Sequence, residues 1–271
     1  MQHWFIQTID PVALNLFGLT IRWYGLGYLA GFLAAALILK IRTRIDTRYP
    51  PDMEVSDFLL YAAIGTIVGG RLGEVFFYNA RFYLDHLIQI FFLWKGGMAS
   101  HGGMIGVIMA TVLFAWKRRI DPFVLLDDVA LATPPGLCFG RMANFINSEM
   151  VGSVTDAWWA VIFPRYDLLP RHPAQLYQAI AEGPVLLAFL LAGLKLKMRP
   201  GGLGCVFLIG YGLLRCLTEN FREVDPGYLG YWHGLTNGQL LSLGMIPLGI
   251  LYLAIASWFH RPAARAFGSR P

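Results

Sequence analysis

Thirteen residues, Gly140 to Gly152, follow an apolar run that ends near Phe139, and they bring charge and amides directly up to it. An ionisable group at membrane depth loses hydration at a cost of about 2.5–3.5 kcal/mol on insertion scales, so it usually marks a pathway or a reaction site. If the stretch is helical, Arg141, Asn144 and Asn147 share one face at i, i+3, i+6, offering a cation and two amides together. A helix end capped by asparagines, with a snorkelling arginine, accounts for any one of them but not for all three. A second stripe, Arg215, Glu219 and Arg222, recurs at i, i+4, i+7 and is hard to read as packing. Guanidinium forks pair with phosphate oxygens bidentately, and carboxylates orient such forks, so Arg141 and Arg215 suit a phosphate held in a membrane, a lipid phosphate above all.

Other polar groups lie near the ends of apolar runs. Arg22-Trp23-Tyr24 fits an interfacial belt as well as a site. Arg71 and Glu74 stand one turn apart and read as an intramembrane pair. Ser100-His101-Gly102-Gly103 joins a histidine to glycines that admit a close neighbour. His172, Gln175, Tyr177 and Gln178 open a further run, and Glu149 completes the set around Asn144 and Asn147.

The elements that must hold these residues are membrane helices. Of 271 residues, 56% are hydrophobic and 14% charged, where a soluble domain carries about 25% charged; the mean hydropathy is +0.52. Thirty glycines allow close helix contacts, and 8 Trp with 12 Tyr suit the interfaces. A net charge of +5 raises nucleic acid as a partner, but the basic residues sit between apolar runs and not on one solvated face, so none is expected. Cys138, Cys205 and Cys216 all lie in apolar segments without metal-ligand spacing, and the histidines near acidic residues lack it too, so no metal is expected. Met1 to Leu19 lacks the pattern of a cleaved leader.

A span needs about 20 apolar residues, and seven are expected at about 20–39, 57–78, 97–116, 123–140, 174–194, 202–219 and 237–259. The fold class is therefore all-α and polytopic, one integral membrane domain over 1–271. Basic blocks at Lys40, Arg42, Arg44, Arg48; Lys117, Arg118, Arg119; Lys195, Lys197, Arg199; and Arg261, Arg265, Arg270 follow alternate spans. They mark the cytoplasmic side, which puts the N-terminus outside, the C-terminus inside and every polar group named above on the outward half. Residues 141–173, with Trp158, Trp159, Pro164, Pro170 and Pro173, read as a small outward-facing head between the fourth and fifth spans. The run Leu87 to Trp94 is too short to span and reads as an interfacial arm.

These motifs carry a resemblance. Arg22 to Leu26, Gly69 to Glu74, Gly96-Gly97-Met98 with His101-Gly102-Gly103, Gly140 to Thr155, Arg171 to Tyr177 and Arg215 to Asp225 resemble, in order, those of the prolipoprotein diacylglyceryl transferase family. The departures are Ala99-Ser100, Ser148 and Glu223-Val224, none of which removes a charged group. The resemblance implies a bacterial inner-membrane transferase. Its substrates would be phosphatidylglycerol and the lipobox cysteine of a prolipoprotein signal peptide, and its products an S-diacylglyceryl thioether and glycerol 1-phosphate. No cofactor is implied, because the lipid itself is the electrophile.

For that reaction Arg141 and Arg215 are assigned to the phosphate and Glu219 to holding Arg215. Asn144, Asn147, Glu149 and Gly152, carried over from the family signature, bind headgroup hydroxyls and shape the head, with Arg222 beside them; Tyr24 contacts lipid or sulfur. His101 is the candidate base, and the residues leave open whether it takes the thiol proton or positions groups while the cationic surroundings acidify the thiol. The competing reading is a lipid or anion transporter using the same arginines. A transporter carries polar groups through both halves of the membrane with a site near the midplane, whereas here they collect on one half.

Overall fold

Without water in a bilayer core, an apolar segment satisfies its backbone only by coiling or by closing into a barrel, and this chain coils. The structure, a computed structural model, describes residues 4–16, 19–92, 96–223 and 235–260. Trp94, Lys95, Val224, Asp225 and the basic block Arg261, Arg265, Arg270 lie outside the described residues. The helices are α1 (Trp23–Ile45), α2 (Val55–Gly73, continued by a π-helical turn Glu74–Tyr78), α3 (Ala80–Asp85), α4 (Ser100–Arg118) and α5 (Pro122–Asn147). They continue with α6 (Ala174–Ile180), a π-helical turn Ala181–Val185, α7 (Leu186–Lys195), α8 (Gly202–Glu219) and α9 (Asn237–Phe259). Among the described residues, six helical stretches are long and apolar enough to cross a membrane: Trp23–Ile45, Val55–Tyr78, Pro122–Asn147, Ala174–Lys195, Gly202–Glu219 and Gly238–Phe259. The remaining expected span, α4, forms a 19-residue helix but is not among those six. The protein is a mostly helical, multi-pass membrane protein, and about seven spans are compatible with it.

Several helix ends differ from the expected ones, and two of the differences have a visible cause. The first span begins at Trp23 because Leu19–Arg22 is the second strand (β3) of a hairpin with β2, Val12–Leu16. The fourth runs seven residues past Phe139-Gly140, to Asn147, because its last carbonyls are met from far away in the chain. The Gln7 amide donates to Phe145 O (3.0 Å) and Ile146 O (2.7 Å), and Ser148 (φ 57°) turns the chain away. Arg141, Asn144 and Asn147 therefore sit on a helix, on its last two turns.

The chain folds as two compact units, Leu39–Asp128 and Met1–Ile38 with Val129–Pro271. In the first, α2 and α4 meet through facing glycines: a methyl on Gly69 would strike Gly102 O, and one on Gly65 would strike Gly106 O. Such small-residue seams replace the hydrophobic drive that lipid removes. Near the end of α1, Arg42 donates to Asp128 (2.7 Å), which also accepts from Tyr49 Oη (2.7 Å), and Arg42 reaches Asp46 at 2.8 Å. Hydrogen bonds from Arg48 hold the Asp46 carboxyl down at about 2.

In the second unit, α1 and α5 touch backbone to backbone where Gly31 meets Gly136; a Cβ on Gly31 would lie 2.9 Å from Gly136 Cα. Leu131, Leu186, Leu190 and Leu203 form the apolar core shared by α5, α7 and α8. Beyond α5 the chain is pinned by a small sheet: β1 (Phe5–Ile6) pairs in parallel with β4 (Val161–Ile162), which pairs antiparallel with β5 (Pro170–Arg171). Bridges join Gly152 to Arg222 and Val154 to Arg171. Val151, Val161 and Phe163 close over Phe145 in a core of their own. Residues 148–173 thus form an ordered excursion tied to the N-terminus and to the end of α8.

Candidate active site

A fully buried carboxylate sits at the centre of the second unit. Glu182 lies in the π-helical turn Ala181–Val185, which also holds Pro184; proline removes a helical donor and locally widens the coil. The next residue, Gly183, lets Cys138 of α5 come close enough that a Cβ there would lie 2.6 Å from the cysteine Cβ. That close approach brings Arg141 onto Glu182, Nε to Oε2 at 2.9 Å and Nη2 to Oε1 at 3.4 Å. From α8, Arg215 Nη1 stands 3.7 Å from Glu182 Oε1, and its Nη2 lies 2.9 Å from Glu219 Oε2. Arg222 Nη1 completes the row, 3.2 Å from Glu219 Oε1.

The row alternates Arg141, Glu182, Arg215, Glu219, Arg222, three cations and two anions, so it keeps one net positive charge. Charges removed from water lose several kcal/mol of hydration each, and alternation offsets that loss only where partners are well placed. Here the match is incomplete: Arg215 Nη1 and Arg222 Nε are buried and make no hydrogen bond among the described residues. Two open cationic donors in a net-positive, low-dielectric row are suited to an anion with several oxygens.

Next to the row, the other signature residues form one polar wall. Asn144 Nδ2 donates to Glu149 Oε2 (2.9 Å) and Asn147 Nδ2 to Glu149 Oε1 (3.3 Å), while Gln175 Nε2 donates to Glu149 O (2.7 Å). Gly152 sits where three segments cross: its N–H donates to His172 O (3.1 Å) and its carbonyl accepts from Arg171 Nη1 (2.9 Å). A Cβ on Gly152 would collide with the His172 carbonyl, so only glycine fits. With both backbone groups engaged, Gly152 shapes the wall. Arg171 also pairs with Asp167 and with Glu223 (3.1 Å), and its hydrogen bonds hold the Asp167 carboxyl below the usual range. Burial lowers the His172 imidazole, whose Nδ1 lies 3.1 Å from the Tyr177 hydroxyl; that hydroxyl accepts from Trp159 Nε1 at 2.7 Å. Tyr24 stacks at a tilt on Tyr28, ring centroids 5.1 Å apart.

His101 belongs to the other unit, where it is exposed as the second residue of α4. The Arg71–Glu74 pair read from spacing is not made. Arg71 instead donates to the carbonyls of Gln89, Ile90, Phe92, Gly96 and Gly97 and lies over the Tyr83 ring, while Glu74 accepts from Asn79. All three guanidinium nitrogens are thus engaged by backbone carbonyls, which fixes the approach of the loop to α2. Arg71 is the peg of the loop that leads into His101. In the arm, Leu87–Phe91 is a 3₁₀ turn whose Leu87, Ile88 and Phe91 are exposed.

Sequence reasoning missed Glu182. The signal was present, a lone acid in the apolar run Ala179 to Leu194, and a charge inside a span is a site hypothesis by default.

A multi-pass helical protein that holds a net-cationic guanidinium row between its helices is of the class that handles an anionic group within a membrane. A family model described as prolipoprotein diacylglyceryl transferase matches residues 11–255. Relatives named phosphatidylglycerol–prolipoprotein diacylglyceryl transferase include that of Beijerinckia indica, 48% identical over 91% of this chain and 93% of the relative. The Rhodospirillum rubrum protein is 47% identical over 92% of each chain, and the Azospirillum brasilense protein 46% identical over 94% of this chain and 97% of its own. The chain belongs to the prolipoprotein diacylglyceryl transferase family, and it is a transferase.

Proposed function

We infer that this protein transfers the diacylglyceryl group of phosphatidylglycerol to the lipobox cysteine of a prolipoprotein signal peptide, the first step of lipoprotein maturation. The observation that carries this reading is the row Arg141–Glu182–Arg215–Glu219–Arg222, with its surplus positive charge and open guanidinium donors. Cysteine sulfur attacks the glycerol carbon bonded to the phosphate oxygen; the C–S bond forms, the C–O bond breaks, and glycerol 1-phosphate leaves with the electron pair. Charge gathers on the leaving oxygens as the bond breaks, so forks that tighten there favour the transition state over the bound lipid. Glu182 and Glu219 hold those forks; Asn144, Asn147 and Glu149 face the headgroup; Tyr24 lies on the lipid or sulfur side. The thiol must ionise, and free cysteine has a pKa of about 8.5. His101 takes that proton in the general-base version of the mechanism.

His101→Gln checks the base: it keeps a hydrogen-bonding group but cannot cycle a proton, so the low-pH limb of the kcat/KM profile should disappear along with most of the activity. An unchanged profile with most activity retained near neutral pH removes the base role and leaves thiol activation to the arginines.

The transfer itself is tested by incubating purified protein with phosphatidylglycerol and a lipobox peptide. Mass spectrometry should find the diacylglyceryl adduct on the cysteine, and a folded protein that makes none would favour transport over transfer.

The location we propose is the bacterial inner membrane, with the site, the N-terminus and a head at 141–173 outside and the C-terminus in the cytoplasm, all within one integral domain; the alternating basic blocks support it. Cysteines placed at Asp156 and Ser269 should label from opposite sides, position 156 with an impermeant reagent from outside and 269 only after permeabilisation. Labelling of both from one side overturns the orientation.

A further inference from the structure

Gln175, Gln178 and Glu182 recur at i, i+3, i+7 along α6 and its π-helical continuation, and all three are fully buried. The two ends of this stripe are pinned to the end of α5. Gln175 Nε2 donates to Glu149 O at 2.7 Å, and Glu182 receives Arg141 Nε at 2.9 Å. Gln178 lies between them, and neither its amide oxygen nor its amide nitrogen has a hydrogen-bond partner among the described residues. The Gln175 amide oxygen and Asn147 Oδ1 are open in the same way. Buried amides are satisfied almost everywhere in folded proteins, so a side chain open at both ends, beside a cationic row, calls for a ligand.

The kind of atom needed follows from what is open. A phosphate oxygen only accepts, and an ammonium only donates; the latter would also be repelled by the surplus charge of Arg141, Arg215 and Arg222. A hydroxyl does both, and two neighbouring hydroxyls match one amide N–H₂ group and several amide oxygens. Glu149 is exposed and Asn147 half-buried, so the polar wall begins at the surface and continues inward to Gln178. We propose that Gln178, with the open oxygens of Gln175 and Asn147, reads the hydroxyls of a polyol headgroup and thereby selects the glycerol-bearing lipid over one whose headgroup lacks them. The proposal rests on the transferase reading above and names how that site chooses its lipid.

The experiment pairs a change in the protein with a change in the lipid. Adduct formation is followed with phosphatidylglycerol and with phosphatidylpropanol, which has the same charge and length but no headgroup hydroxyl. The parental protein should prefer phosphatidylglycerol by about 10-fold or more in kcat/KM, because the hydroxyl-free lipid leaves the amides unpaired. In Gln178→Met, which keeps the volume but loses both polar atoms, the two lipids should converge to within about 3-fold, a coupling that generalised damage does not produce. Should Gln178→Met turn over neither lipid, Gln178→Glu is read by the same ratio, since it keeps an acceptor and loses the donor. A parental ratio retained in the active variant makes Gln178 a core amide only and overturns the proposal, as does a parental protein indifferent to the hydroxyls. If the parental protein makes no adduct from phosphatidylglycerol, the transferase reading falls first and takes this one with it.

Discussion

Glu182→Gln should lower kcat/KM by about 100-fold or more and destabilise the fold by about 3–5 kcal/mol, the size expected when one partner of a buried ion pair is removed. Glu182 is fully buried and lies between two guanidiniums, 2.9 Å from Arg141 and 3.7 Å from Arg215. Without its charge the row holds three cations against Glu219 alone, and Arg141 and Arg215 repel one another across the gap. Both forks then turn away from the orientation that meets a phosphate. Glu182→Asp retains the charge on a shorter stem and should fall between parent and Gln in both readouts. The check is a thermal midpoint and a steady-state assay on the same preparations; a Gln variant with parental midpoint and turnover would remove Glu182 from the centre of the site.

Arg215→Lys should reduce turnover by about 100- to 1,000-fold, the range seen when one preorganised donor is taken from a transition-state site, while the protein stays folded. Lysine keeps the positive charge, so the surplus charge of the row and its attraction for the lipid persist. It loses the planar fork that spans Glu182 and Glu219 and leaves Nη1 open. The loss should appear in kcat and kcat/KM alike, with KM for phosphatidylglycerol little changed, as for a contact made mainly in the transition state. Near-parental turnover would mean that a nonspecific positive field is enough.

How much of this was legible in the sequence depended on separation along the chain. The face Arg141, Asn144, Asn147 and the stripe Arg215, Glu219, Arg222 could be read because each lies within one helix, where spacing fixes direction. Six of the seven expected spans were legible from hydropathy, although α5 overran its expected end because Gln7, far away in sequence, caps it. Glu182 joins Arg141 across 41 residues and Arg215 from the other side, and only tertiary packing reveals that it links the two groups. Arg71 shows the opposite failure: local spacing offered Glu74, but the guanidinium is taken up instead by the carbonyls of Gln89, Ile90, Phe92, Gly96 and Gly97, whose approach only the tertiary fold reveals. The sequence shows Gln178 only as a polar residue at a helix entry; that both ends of its amide are open is visible only in three dimensions.

The central claim, that cysteine sulfur displaces phosphate at carbon while the arginine row receives the departing charge, is tested most directly by the fate of one oxygen. Phosphatidylglycerol labelled with oxygen-18 at the bridge between the diacylglyceryl carbon and phosphorus is turned over with a lipobox peptide, and both products are weighed by mass spectrometry. The account predicts a diacylglyceryl thioether on the cysteine, formed one for one with glycerol phosphate that carries all of the label. Labelled diacylglycerol, or unlabelled glycerol phosphate, would mean that the bond to phosphorus breaks instead, and would contradict it.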